Sequence, residues 1–88
     1  MDDQDRNEIA DKAPESETIT DYDRTQLRLY ARLLDAEADG AGLLEIADLL
    51  FDIDAESEPE RARKVHDSHL ARAHWLAAQG YRNLLVQA

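Results

Sequence analysis

Three apolar runs at helical spacing organise this chain, with polar punctuation between them. In the first, Leu27, Tyr30, Leu33, Leu34 and Ala38 recur at three- and four-residue intervals and form one stripe of an amphipathic helix. Thr20 followed three residues later by Asp23 is a capping-box pattern, with Asp in place of Glu, and predicts a helix start near Thr20. Asp39-Gly40-Ala41-Gly42 ends that helix, and Gly40 suits the left-handed cap position. A second, short helix is predicted from about Leu43 to Phe51. Leu43, Ile46, Ala47 and Leu50 face one way; Leu44, Leu49 and Phe51 widen the apolar arc to most of the circumference. Only Glu45, Asp48 and Asp52 remain for water. A helix that apolar is expected to be wedged between neighbours, as the first helix of a helix-turn-helix is.

Asp52 to Glu56 reads as a turn with Ile53 as its apolar plug, longer than the three or four residues usual in that motif. Ser57 is predicted to cap the third helix, with Pro59 in its first turn and Glu60 completing a capping box. That helix runs to about Gln79, with Ala62, Val65, Leu70, Ala73, Leu76 and Ala77 on its inner face. Gly80 closes it, and residues 81–86 give a final short turn of helix. The expected fold is all-α: a small four-helix domain over residues 20–88, containing an extended-turn helix-turn-helix. Residues 1–19 form a separate segment in which Ile9 and Ile19 are the only large aliphatics beyond Met1. Such a segment buries too little surface to offset its ordering entropy, so it is expected to be a disordered acidic tail. An ordered part of roughly 65 residues buries only about 60% of its unfolded surface, and a partner or a second copy would stabilise it.

Charge changes this picture. Twenty acids against ten Lys and Arg give the 88-residue chain a formal charge of -10. Residues 1–23 hold nine of the acids and two of the bases. Between Asp35 and Glu60 there are ten acids and no Lys or Arg. A helix-turn-helix outline suggests a nucleic-acid reader, but phosphate contact needs cations. The acids Glu45, Asp48, Asp52, Asp54, Glu56, Glu58 and Glu60 are therefore expected to form a surface that opposes DNA. Anionic membranes are excluded on the same ground. No apolar run approaches the ~18 residues that span a bilayer. The start, Met1-Asp2-Asp3-Gln4-Asp5, lacks the basic-then-apolar order of a signal peptide, and a soluble cytoplasmic protein is expected. With no cysteine there is no disulfide, thiol nucleophile or thiolate zinc site.

The remaining chemistry is sparse. His66 and His69 lie three apart, both assigned to the inner stripe of the third helix, and two imidazoles so spaced can share a metal. His74 points off that face and no third ligand is evident, so they are read as core histidines and no cofactor is expected. Ser57 and Ser68 offer Ser/His pairs, but one has a capping role and the other an outer position. Four short helices leave little room for the dry cleft an active-site carboxylate pair needs, so an enzyme is not expected. Arg24, Arg28 and Arg32 recur every four residues on the first helix. Arg61, Lys64, Ser68 and Arg72 make a second basic patch on the third, beside Trp75. Each is read first as a solvated face, with Trp75 packed under the C-terminal turn or marking an interface.

Gly40-Ala41-Gly42-Leu43-Leu44-Glu45-Ile46-Ala47-Asp48-Leu49-Leu50-Phe51, followed by Gly80-Tyr81-Arg82-Asn83-Leu84-Leu85, resembles the family catalogued as domain of unknown function 2285. Leu33-Leu34-Asp35 also fits, and the resemblance covers about residues 25 to 86. It implies a helix-turn-helix variant carried on mobile elements, whose members switch conjugative transfer on or off. The acidic central segment departs from the pattern of the family's DNA-contacting activators and fits its stand-alone antiactivators. The resemblance thus implies an antiactivator that binds the N-terminal partner domain of a transcriptional activator, blocks transfer genes, does not bind nucleic acid, and is a monomer or weak homodimer. Its docking face is expected around Arg28, Arg32, Trp75, Tyr81 and Arg82. The runner-up is a dimeric DNA-binding regulator acting through Arg61, Lys64 and Arg72. A metal-binding or catalytic module is the third reading.

Overall fold

The computed structural model describes residues 9–79, and every regular element among them is helical: α1 (Asp21–Thr25), α2 (Leu27–Ala38), α3 (Leu43–Leu50) and α4 (Pro59–Ala78). α2 and α3 both pack on α4 and on each other, so the domain is a layer of short helices laid against one long one. Tyr30 and Leu33 of α2, Ile46 and Ala47 of α3, and Ala62, Val65, Ala73 and Leu76 of α4 are buried between them. Phe51, Ile53 and Ala55, from the connection between α3 and α4, complete the core. The all-α class read from periodicity holds. The predicted final turn at residues 81–86 lies outside the described residues.

The first helix is split. Thr20 caps α1 through the reciprocal capping box with Asp23, as its spacing predicts. At Gln26, which is buried, the backbone leaves helical geometry (φ -111°, ψ 16°) before α2 begins. The Gln26 N–H is shared between the carbonyls of Tyr22 and Asp23. The break turns α1 so that its Tyr22 and Asp23 and α2's Tyr30 converge on one region of α4.

α2 ends in a Schellman motif: Gly40 has φ +86°, its N–H donates to the Glu37 carbonyl, and the Ala41 N–H donates to that of Ala36. α3 ends differently. Asp52 takes a left-handed φ of 56°, which Asp tolerates better than most residues, and the N–H groups of Phe51 and Ile53 both reach the Ala47 carbonyl. This brings the side chain of Ile53 back into the core, as its reading as a plug requires.

Two local expectations are corrected. Ser57 does not cap α4: its hydroxyl donates to Asp54 Oδ2, and Asp54 also accepts from the Glu56 N–H. Glu58 is the N-cap residue, without a side-chain cap bond, and Pro59 occupies the first turn where no N–H is required. The connection thus runs over eight residues, 51–58, because the Asp54 turn takes up the sequence assigned to the helix start. Second, α3 is not wedged on all sides. Leu44 and Leu49 are 60% and 66% exposed, because among the described residues the helices packed on α3 are α2 and α4.

The expectation of a disordered tail covers residues 1–19, of which 1–8 lie outside the described residues. Residues 9–19 contain no helix, yet they lie along α4. Ala13 is buried, and its N–H donates to the Ser68 hydroxyl. The packed unit therefore reaches N-terminal of Thr20.

Candidate functional site

The strongest polar cluster in the fold is internal. Asp23 is fully buried and takes hydrogen bonds from the Arg72 guanidinium at 3.1 and 2.7 Å, the Tyr30 hydroxyl at 2.8 Å and the Thr20 N–H at 2.9 Å. Burial pushes its carboxyl up, but these donors prevail and hold it at about 2. Arg72 also donates to the tail segment, at the carbonyls of Ser16 (2.6 Å) and Thr18 (2.9 Å). Its guanidinium lies 4.1 Å above the half-buried Trp75 ring.

His69 closes the same cluster. One ring nitrogen, Nδ1, sits 2.7 Å from the Val65 carbonyl, and the other, Nε2, 2.7 Å from the Tyr22 hydroxyl. A neutral ring satisfies both by donating to Val65 and accepting from Tyr22, whose oxygen in turn accepts from the Ala10 N–H. Burial, only partly opposed by the Val65 carbonyl and Asp23, lowers the His69 pKa and keeps the ring neutral. These groups brace the fold, and Arg72 also borders a cleft lined by Ser68, Trp75 and residues 13–17.

The sequence-predicted candidates disperse. His69 is buried, but His66 is only partly so and bonds Asp67, while exposed His74 bonds Glu37. The two therefore do not share an inner stripe. Among the described residues no three His, Cys, Asp or Glu side chains stand where they could share a metal. The patch Arg61, Lys64, Ser68, Arg72 is broken up, because Arg72 points into the fold and Ser68 binds the tail. Arg28 and Arg32 are exposed on α2; Arg32 lines a groove against α3, whereas Trp75 lines a cleft between α4 and residues 13–17. Tyr81 and Arg82 lie outside the described residues. Asp23 as a buried ion-pair partner was missed, since its capping spacing already accounted for it.

Two surfaces of opposite character remain. Arg63 and Lys64 of α4 and Arg28 and Arg32 of α2 are exposed and make no ion pair among the described residues. Among the described residues Arg61 is held by solvent-exposed Asp11 (3.1 Å) and Glu58 (3.2 Å), contacts that salt screens and phosphate can replace. On α3 and the connection after it, Glu45, Asp48, Asp52, Asp54, Glu56, Glu58 and Glu60 are all exposed.

A family model described as "T6SS, Transcription factor, DNA binding domain" matches residues 3–86. No curated protein matches the chain significantly. The family match corrects the resemblance to domain of unknown function 2285, and with it the antiactivator reading and the exclusion of nucleic acid as a partner. The physical error lay in taking the acidic stretch from Asp35 to Glu60 as the surface that DNA would meet. Net charge describes the long-range field, whereas phosphate contact depends on where unpaired cations sit. Here they sit exposed on α2 and α4, Arg63 and Lys64 just past Glu60 and Arg32 across a groove from Glu45.

Proposed function

Because the chain belongs to this family of transcription-factor DNA-binding domains, we infer that it binds duplex DNA as the reading part of a transcriptional regulator. Transcription factors, not enzymes, define the family. The match along nearly the whole chain carries the inference. α3, the lengthened connection and α4 stand in helix-turn-helix order, which makes α4 the reading helix. Arg63 and Lys64 lie near its start, where such a helix meets base edges, with Arg61 beside them. One copy offers few free cations, so a pair of copies on two half-sites is the expected bound form.

Selection from a random duplex pool at low salt, followed by fluorescence anisotropy on the enriched duplex, tests this. Saturable binding that weakens in Arg63→Glu and Lys64→Glu is expected. No enrichment, or equal binding by folded charge-reversed variants, rejects α4 as the reading helix.

A further inference from the structure

We propose that the groove between α2 and α3 docks a basic, amphipathic helical segment of another protein. The proposal goes beyond DNA binding and uses a different face. The groove has a volume of about 490 Å³ and an apolar floor of Ala36, Ala41, Ile46 and Leu50. Leu49 stands at its wall, 66% exposed on a chain whose other large aliphatics, apart from Leu44, are at least partly buried among the described residues. An apolar groove of this kind takes the apolar face of a helix.

The rim selects the sign of the partner. Asp35, Asp39 and Glu45 border the groove against a single cation, Arg32. None of the three acids makes an ion pair among the described residues, so their charge is available. Around α3 the exposed residues fall on one arc of about 140°, in the order Leu44, Asp48, Glu45, Leu49. Acids are thus set between two apolar anchors. A complementary segment carries Leu-like anchors with Lys or Arg between them.

The same charge excludes the other occupants. Nucleic acid is repelled. A second copy docking through the same groove would bring Asp35, Asp39 and Glu45 against their own counterparts, which is unfavourable.

The test uses the full chain and two synthetic 16-residue peptides of about equal charge and composition. One places Leu at helical spacing with Lys between; the other scrambles the order. In a titration followed by amide NMR, the patterned peptide is expected to shift resonances at Ala36, Glu45 and Leu49 and to bind at least tenfold tighter than the scrambled one. Leu44→Ser/Leu49→Ser and Glu45→Lys/Asp48→Lys, all at exposed positions and checked by thermal melts, are expected to lose that preference while DNA affinity is kept or improved. Equal binding of both peptides, shifts centred elsewhere, or concentration-dependent dimerisation abolished by Leu49→Ser would overturn the proposal. Loss of the DNA-binding reading would leave the peptide result standing, so the two fail separately.

Discussion

Asp23 and Arg72 are 49 residues apart in sequence and 2.7 Å apart in space. Removing either charge leaves the other buried and unpaired, which costs about 3–5 kcal/mol, a large share of the stability of a domain this size. Arg72→Met and Asp23→Ala are each expected to unfold much of the protein at room temperature. The double variant is expected to lose less than the sum of the two, as urea melts in a double-mutant cycle would measure. His69 supplies a pH test. Its folded pKa is lowered, so the unfolded chain binds more protons, and stability is full above the unfolded value near 6.5 and falls as pH drops below it. Asp23 acts further down: its contribution is present above the unfolded value of 3.8 and is lost as pH falls toward 2. Thermal melts are expected to show two declines, and His69→Gln should remove the upper one. At this scale the sequence misled. Arg72, at helical spacing from Lys64 and Ser68, reads as part of a solvated basic patch, and nothing local identifies a partner from another helix.

At the scale of elements, spacing carried far. The α2 stripe, the Thr20–Asp23 cap, Gly40 and the reach of α4 are where periodicity and turn chemistry place them. The break at Gln26 and the Asp54 turn were not legible. Each is set by the burial of a neighbour, Asp23 in one case and Ile53 with Ala55 in the other, and not by local propensity. Leu44 and Leu49 could be seen as apolar, but not as exposed, because periodicity does not reveal how many neighbours a helix will have. The two glycines flanking Ala41 give a controlled comparison. A Cβ at either position meets nothing within 4 Å, yet only Gly40 has positive φ. Gly40→Ala is expected to cost roughly 1 kcal/mol, about 4–8 °C in Tm, through backbone strain, while Gly42→Ala, at the N-cap of α3 where Ala is the poorer residue, is expected to cost about half as much without strain.

For the whole molecule, the uneven distribution of charge matters more than its total of -10. Arg28, Arg32, Arg63 and Lys64 lie on two helices, and acids crowd a third and the connection that follows it. If Arg28, Arg63 and Lys64 each meet a phosphate, one copy should lose roughly 40-fold in DNA affinity between 50 and 200 mM salt. A log–log slope near zero in that range would show that phosphates are not the partners. The family itself was not legible, because short motifs shared by helix-turn-helix variants do not separate one lineage from another.

The strap that Arg72 holds, Ser16 and Thr18 on one side and Asp23 on the other, also sets an order of events at the ribosome. At 5–20 residues per second, Asp23 is made roughly 2–10 s before the guanidinium that will neutralise it. Until then the carboxylate is best left in water, and α1 has nothing to close upon. Residues 9–25 therefore wait, open, until α4 is translated. Nascent chains stalled before Arg72 emerges are expected to stay open to protease along residues 9–25, and those stalled well beyond it to be protected there.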